Sequence, residues 1–185
     1  DRETDLNMAI AITVDAKTQK PGVCNALETL LVHKDIAEDF LPVAAENLKA
    51  RKVELRCDER SMAIIGSSVT PADEMDWRTE YLDLILAVKV VDDLNGAIEH
   101  INEFGSQHSD CIVTENQTRA ERFLQEIDSA TVFWNTSTRF SDGEEFGFGA
   151  EIGISTDKLH ARGPMALREL TSYKYLVRGK GQTKG

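Results

Sequence analysis

The chain has 185 residues, 41 % of them hydrophobic, and a formal net charge of −11. That is enough apolar material for one domain with a proper core, or for a lobe of a larger protein. The acidic balance argues against nucleic-acid and anionic-membrane partners, and no stretch reaches the roughly 18 apolar residues of a membrane span. Cys24, Cys57 and Cys111 are widely spaced and odd in number, which speaks against a secreted disulfide framework and for a reducing, cytoplasmic setting. His33, His100, His108 and His160 form no pair with ligand spacing; His108 with Cys111 is at most half a metal site, so no metal is expected. No signal-peptide pattern opens the chain, and the first residue is Asp1 rather than Met, so the sequence reads as a piece of something longer.

Leu6, Ala9, Ile10, Thr13, Val14 and Lys17 recur at helical spacing behind a possible N-cap, Asp5, and predict a helix over 6–19 that Pro21 and Gly22 stop. "TLLVH" (29–33) is a short strand candidate. Ile36, Ala37, Phe40, Leu41, Ala44 and Leu48 then share one helix face, and "VELRC" (53–57) returns as a strand. Residues 66–78 are polar and turn-rich and read as a loop. "LILAVKVV" (84–91) is almost wholly apolar, as a strand covered on both faces should be, and Ala97, Ile98, Ile101 and Phe104 mark the helix behind it. "DCIVT" (110–114) is a further strand. "TENQ" (114–117) has capping-box spacing ahead of a helix with Ala120, Phe123, Leu124 and Ile127 inside, and "ATVFW" (130–134) closes the series.

Strands alternating with helices at these lengths predict an α/β fold, a mainly parallel sheet with helices on its faces. A glycine-rich loop follows to about Pro164, then a short helix near 165–171 and an alternating strand, "SYKYLVR" (172–178). A strand in that position is an exposed edge that wants a partner, which suggests a bridge between subunits. From Lys158 onward the chain is basic, which fits a solvated edge or a contact with an anionic surface.

Cys24 follows a forced helix stop and precedes Asn25-Ala26-Leu27-Glu28, which can form a new helical turn. Free N–H groups at the start of that turn, with Lys17 or Lys20 nearby, would stabilise a thiolate and later an oxyanion. The plain alternative is a small apolar residue in a turn; spacing alone does not separate the two. Cys57 and Cys111 read as packing residues. "GEEFGFGAEIG" (143–153) lacks the strand before it and the helix after it that a dinucleotide loop needs, and reads better as a loop closing over a ligand. Arg139, Arg162 and His160 flank that loop; each arginine can pair bidentately with a carboxylate or phosphate, or serve only a surface ion pair.

"KTQKPGVCNALETLLVH", "DWRTEYLDLILAVKVVD", "FWNTSTRFSDGEEFGFGAEIGIST" and "KLHARGPMALRELTSYKYLVRG" closely resemble the C-terminal part of the glutamate-5-semialdehyde dehydrogenases, or gamma-glutamyl phosphate reductases, within the aldehyde dehydrogenase superfamily. The reductase half of bifunctional pyrroline-5-carboxylate synthases is similar too. The resemblance covers essentially the whole chain. It implies an aldehyde-dehydrogenase-like catalytic domain, with residues 1–20 a helix leading from a missing N-terminal cofactor domain, 21–164 the thiol domain, and 165–185 a terminal helix and strand for homo-oligomerisation.

The reaction implied is the NADPH-dependent reduction of L-glutamyl 5-phosphate to glutamate 5-semialdehyde and phosphate, in proline biosynthesis. The resemblance places Cys24 as the catalytic thiol and Glu80 as the contact to the nicotinamide ribose. Relatives commonly follow that glutamate with Phe-Gly-Pro, whereas Leu82 and Asp83 stand in that region here, so packing on the nicotinamide must differ. Arg139, His160 and Arg162 are candidates for holding the anionic substrate. Without the cofactor lobe the isolated chain is expected to show no NADPH oxidation. The rivals are a self-contained cysteine hydrolase, which would need a histidine base, and a noncatalytic oligomerisation module.

Overall fold

A computed structural model describes all 185 residues. Its elements are α1 (Leu6–Thr18), β1 (Thr29–His33), α2 (Lys34–Lys49), β2 (Glu54–Cys57), α3 (Glu59–Ile65), β3 (Thr70–Pro71), β4 (Ile85–Val91), α4 (Leu94–Phe104), β5 (Ser109–Ile112), α5 (Gln117–Glu126), β6 (Thr131–Trp134), β7 (Gly153–Ser155) and β8 (Gly163–Met165). The first four strands form a parallel sheet in the order β1-β4-β2-β3, and β5 and β6 form a separate parallel pair. An antiparallel hairpin, β7–β8, completes the chain's strands. The α/β class and the parallel pairing follow the sequence reading.

β4 is central in its sheet and therefore apolar on both faces: Leu86, Ala87 and Val88 are fully buried. One core lies between this sheet and α1 and α2, where Phe40, Leu41, Ala44 and Leu48 pack on Val32, Leu55 and Val88. A smaller one, Ile98, Ile112, Phe123 and Ile127, joins α4 and α5 to β5. Helix starts are set by side-chain caps: Asp5 accepts from Asn7 and Met8, and Asp58 from Ser61, opening α3 in a stretch where the sequence reading names no element. The 114–117 capping box is shifted, because Asn116 is the N-cap of α5 and accepts from Arg119, while the Thr114 hydroxyl accepts from the Asn116 N–H.

The C-terminal expectations are corrected. Residues 167–170 form only a turn, and 172–178 form no strand in the single chain; Tyr173, Tyr175 and Val177 are exposed. A strand without a neighbour has no ladder to satisfy its N–H and C=O groups, so alternation alone does not create one.

Candidate functional site

Cys24 does not start a helix. Pro21 and Gly22 end α1, and Val23 to Ala26 close a turn through the bond from the Ala26 N–H to the Val23 carbonyl, 3.0 Å. The thiol is exposed on this turn. The residue behind it is what holds it. Asn25 is buried, donates to the Ser141 carbonyl at 3.0 Å, and accepts on its side-chain oxygen from the Arg139 guanidinium. Its backbone carbonyl accepts from the Thr138 hydroxyl at 2.7 Å. A 3-10 turn at Thr138–Phe140 thus clamps the Cys24 turn from a point more than a hundred residues along the chain.

A second brace fixes the opposite side. Lys17 is fully buried and donates to Glu28 at 2.8 Å, and the other Glu28 oxygen accepts from the Leu82 N–H at 3.3 Å. Burial pushes the Glu28 carboxyl up and the Lys17 ammonium down, each partner opposing the other's shift. Leu82 sits at φ 55°, a left-handed conformation uncommon for a branched residue, held by that carboxylate. Asp76 adds bonds from Arg56 (2.8 Å) and the Tyr81 hydroxyl (2.7 Å). Glu80, between these anchors, is exposed and has no hydrogen bond or ion pair in the chain. It lines the same cavity, about 500 Å³, as Cys24 and Thr138.

The structure therefore brings Cys24, Glu80 and Arg139 together. Arg139 donates to Gln19 at 2.7 Å as well as to Asn25, which leaves part of its fork unengaged. Arg162 is elsewhere: it donates to the Asp128 carboxylate (2.9 Å) and to the Asp128 carbonyl (2.6 Å), beside a shallow depression with Phe146 and Phe148. His160 is exposed on the connection between β7 and β8. No histidine hydrogen-bonds to Cys24; His33 caps α2 instead.

The electrostatics also depart from the sequence reading. Desolvation and the Glu151 carboxylate push the Cys24 thiol up, with Glu80 adding to the rise; its own backbone N–H and Arg139 oppose it. There is no helix start behind the sulfur, and Lys17 is engaged by Glu28, so Arg139 is the cation that acts on it. Glu151 was not anticipated. It is pinned by the Gly143 N–H at 2.9 Å, where the loop closes so tightly that an added Cβ on Gly143 would lie 2.3 Å from the Ala150 carbonyl oxygen. Asn25, Thr138 and Glu28 were missed as well. They lie on no periodic face, and only adjacency to Cys24 marks Asn25 in the sequence.

The aldehyde dehydrogenase family model matches residues 62–175. A gamma-glutamyl phosphate reductase from Francisella philomiragia is 58 % identical over the whole chain, which spans 44 % of that relative. A crystal structure of gamma-glutamyl phosphate reductase from Thermotoga maritima superposes with a TM-score of 0.94 at 53 % identity, covering all of this chain and 44 % of that one. The corresponding yeast structure, from Saccharomyces cerevisiae, gives 0.59 at 30 % identity, covering all of this chain and 41 % of that one. The chain thus spans under half the length of the relatives it matches.

Proposed function

The chain belongs to the aldehyde dehydrogenase family, and from that premise we propose that it is the thiol-bearing part of a reductase that converts L-glutamyl 5-phosphate to L-glutamate 5-semialdehyde and phosphate. The observation that carries this reading is Cys24 itself: an exposed thiol on a turn locked from both sides, at the mouth of a cavity it shares with an unpaired carboxylate. The relatives named gamma-glutamyl phosphate reductase supply the substrate class.

In this reading the Cys24 thiolate attacks the acyl carbon, the C–O bond to phosphate breaks, and phosphate leaves with the electron pair, giving a thioacyl enzyme. Because desolvation and the Glu151 carboxylate hold the thiol up, ionisation is favoured when positive charge arrives or Glu151 moves away. The Arg139 fork, with donors still free, holds an anionic group of the substrate. Glu80 fits a nicotinamide cofactor, since a carboxylate without a protein partner can accept from two ribose hydroxyls. The bound cofactor, NADPH in this proposal, supplies hydride to the thioester carbon. The hemithioacetal oxyanion formed on Cys24 then collapses to aldehyde as the C–S bond breaks, returning the Cys24 thiolate. Arg162, bound to Asp128, and His160, exposed, are the weaker candidates for substrate contact.

The test uses the full-length reductase. Cys24→Ala is expected to abolish semialdehyde formation and phosphate release, and Arg139→Met to raise KM for the acyl phosphate at least 10-fold, with Arg162→Met close to wild type. A retained rate in the Cys24 variant overturns the mechanism, and an unchanged KM removes Arg139 from the site.

A further inference from the structure

Glu151 is held at both its side chain and its backbone. The carboxylate accepts from the Gly143 N–H at 2.9 Å, and the next residue, Ile152, donates its N–H to the Met165 carbonyl at 2.8 Å, where the β7–β8 hairpin begins. Gly143 is buried and has no room for a side chain, since an added Cβ would also lie 3.0 Å from the Glu151 Cβ. A larger residue there would displace Glu151.

The same segment grips the thiol turn. Just ahead of Gly143, the Ser141 carbonyl accepts from the Asn25 side chain at 3.0 Å, and Asn25 follows Cys24 directly. Arg139, at the start of that segment, donates to the Asn25 side-chain oxygen. One hydrogen-bonded frame therefore carries the thiol, a guanidinium and a carboxylate. Glu80, on the connection ahead of β4, is not part of it.

Glu151 is exposed, and its carboxylate meets one backbone N–H, through Oε2, and no cation of the chain. A single N–H leaves most of a carboxylate's acceptor capacity open. The proposed substrate has a matching end. L-glutamyl 5-phosphate bears an α-carboxylate and an α-ammonium on one carbon, a short aliphatic chain away from the acyl carbon that Cys24 attacks. That end needs a cation and an anion fixed near each other and near the sulfur. Arg139 is the first, and Glu151 is the second.

Resting on the reaction proposed above, we infer that Glu151 receives the α-ammonium of the substrate while Arg139 receives the α-carboxylate, so that the site selects acyl phosphates of amino acids over those of plain dicarboxylic acids. The ion pair has a second effect. Glu151 holds the Cys24 thiol up, and an ammonium beside that carboxylate offsets its charge, so the correct substrate itself eases thiolate formation. A substrate with hydrogen in place of the amino group brings no such relief.

The test uses the full-length reductase with L-glutamyl 5-phosphate and with glutaryl phosphate, which differs only in lacking the α-amino group. Wild type is expected to favour the first by about 10-fold or more in kcat/KM, the size of a charge-assisted contact. In Glu151→Gln, whose amide oxygen can still accept from the Gly143 N–H, that preference is expected to fall to about 2-fold or less, with the loss on the glutamyl substrate. Arg139→Met should lower both substrates alike, because both carry the carboxylate. A wild type that reduces both equally well, or a preference that survives in Glu151→Gln, overturns the inference. So does an equal loss on both substrates in that variant, which would make Glu151 a support of the loop only. The underlying reaction fails separately: it is overturned by activity retained in Cys24→Ala, or by a wild type that reduces neither acyl phosphate.

Discussion

Asn25 and Arg139, 114 positions apart, hold each other: the amide oxygen of one accepts from the guanidinium of the other, while the amide nitrogen of Asn25 donates to the Ser141 carbonyl. This pair fixes the turn that presents Cys24. Asn25→Ala leaves a buried carbonyl and an arginine donor without partners, and is expected to lower stability by about 1–3 kcal/mol. A shift of the urea midpoint at constant slope checks it.

The three thiols should react in a fixed order. Cys24 is exposed, whereas Cys57 is buried and Cys111 half-buried with its S–H donated to the Thr136 carbonyl, and burial pushes both of these up to about 11. Iodoacetamide at pH 8, followed by peptide mass spectrometry, is expected to label Cys24 at least 10-fold faster than either. Equal labelling would mean that the turn does not present the sulfur as described.

Charge near Cys24 sets the sign of two further effects. Glu151 raises the thiol and Arg139 lowers it. Glu151→Gln should therefore speed Cys24 alkylation at pH 7.5, and Arg139→Met should slow it, each by a few-fold. Rates followed from pH 7 to 10 should displace the titration curve in opposite directions for the two variants.

His100 gives stability a pH dependence. It is buried between Trp77 and Phe104, and burial, with Lys89 at 3.2 Å, pushes it down to about 4. The folded-state value is depressed, so the stabilisation is complete above about pH 6.5. It is lost as pH falls toward 4, because the unfolded chain takes up a proton that the folded one does not. The loss is about 3 kcal/mol from this residue, and burial shifts His33 and His108 in the same direction. His100→Phe should flatten the slope between pH 6.5 and 4 in urea titrations; an unchanged slope would assign it to other groups.

Much of the fold is written locally. The Leu6 helix, the strand runs at 29–33, 53–57, 84–91, 110–114 and 130–134 and the helices between them rest on apolar spacing, and burial of one face follows from that spacing wherever the partner surface comes from. The stop at Pro21-Gly22 that puts Cys24 on a turn is likewise local chemistry. The C-terminal strand is not, because "SYKYLVR" has the alternation and lacks the neighbour.

The sequence by itself determined which residues carry reactive groups and which segments between Leu6 and Trp134 form the main helices and strands, since both depend on side-chain type and near-neighbour spacing. Only the tertiary structure decided the environment of Cys24. Arg139 comes to the sulfur and Arg162 does not, Lys17 is bound to Glu28, and Glu151 faces the thiol from a loop closed at Gly143. Those facts are set by distances across the fold, and the Coulomb and desolvation effects that govern a thiol depend on such distances rather than on position along the chain.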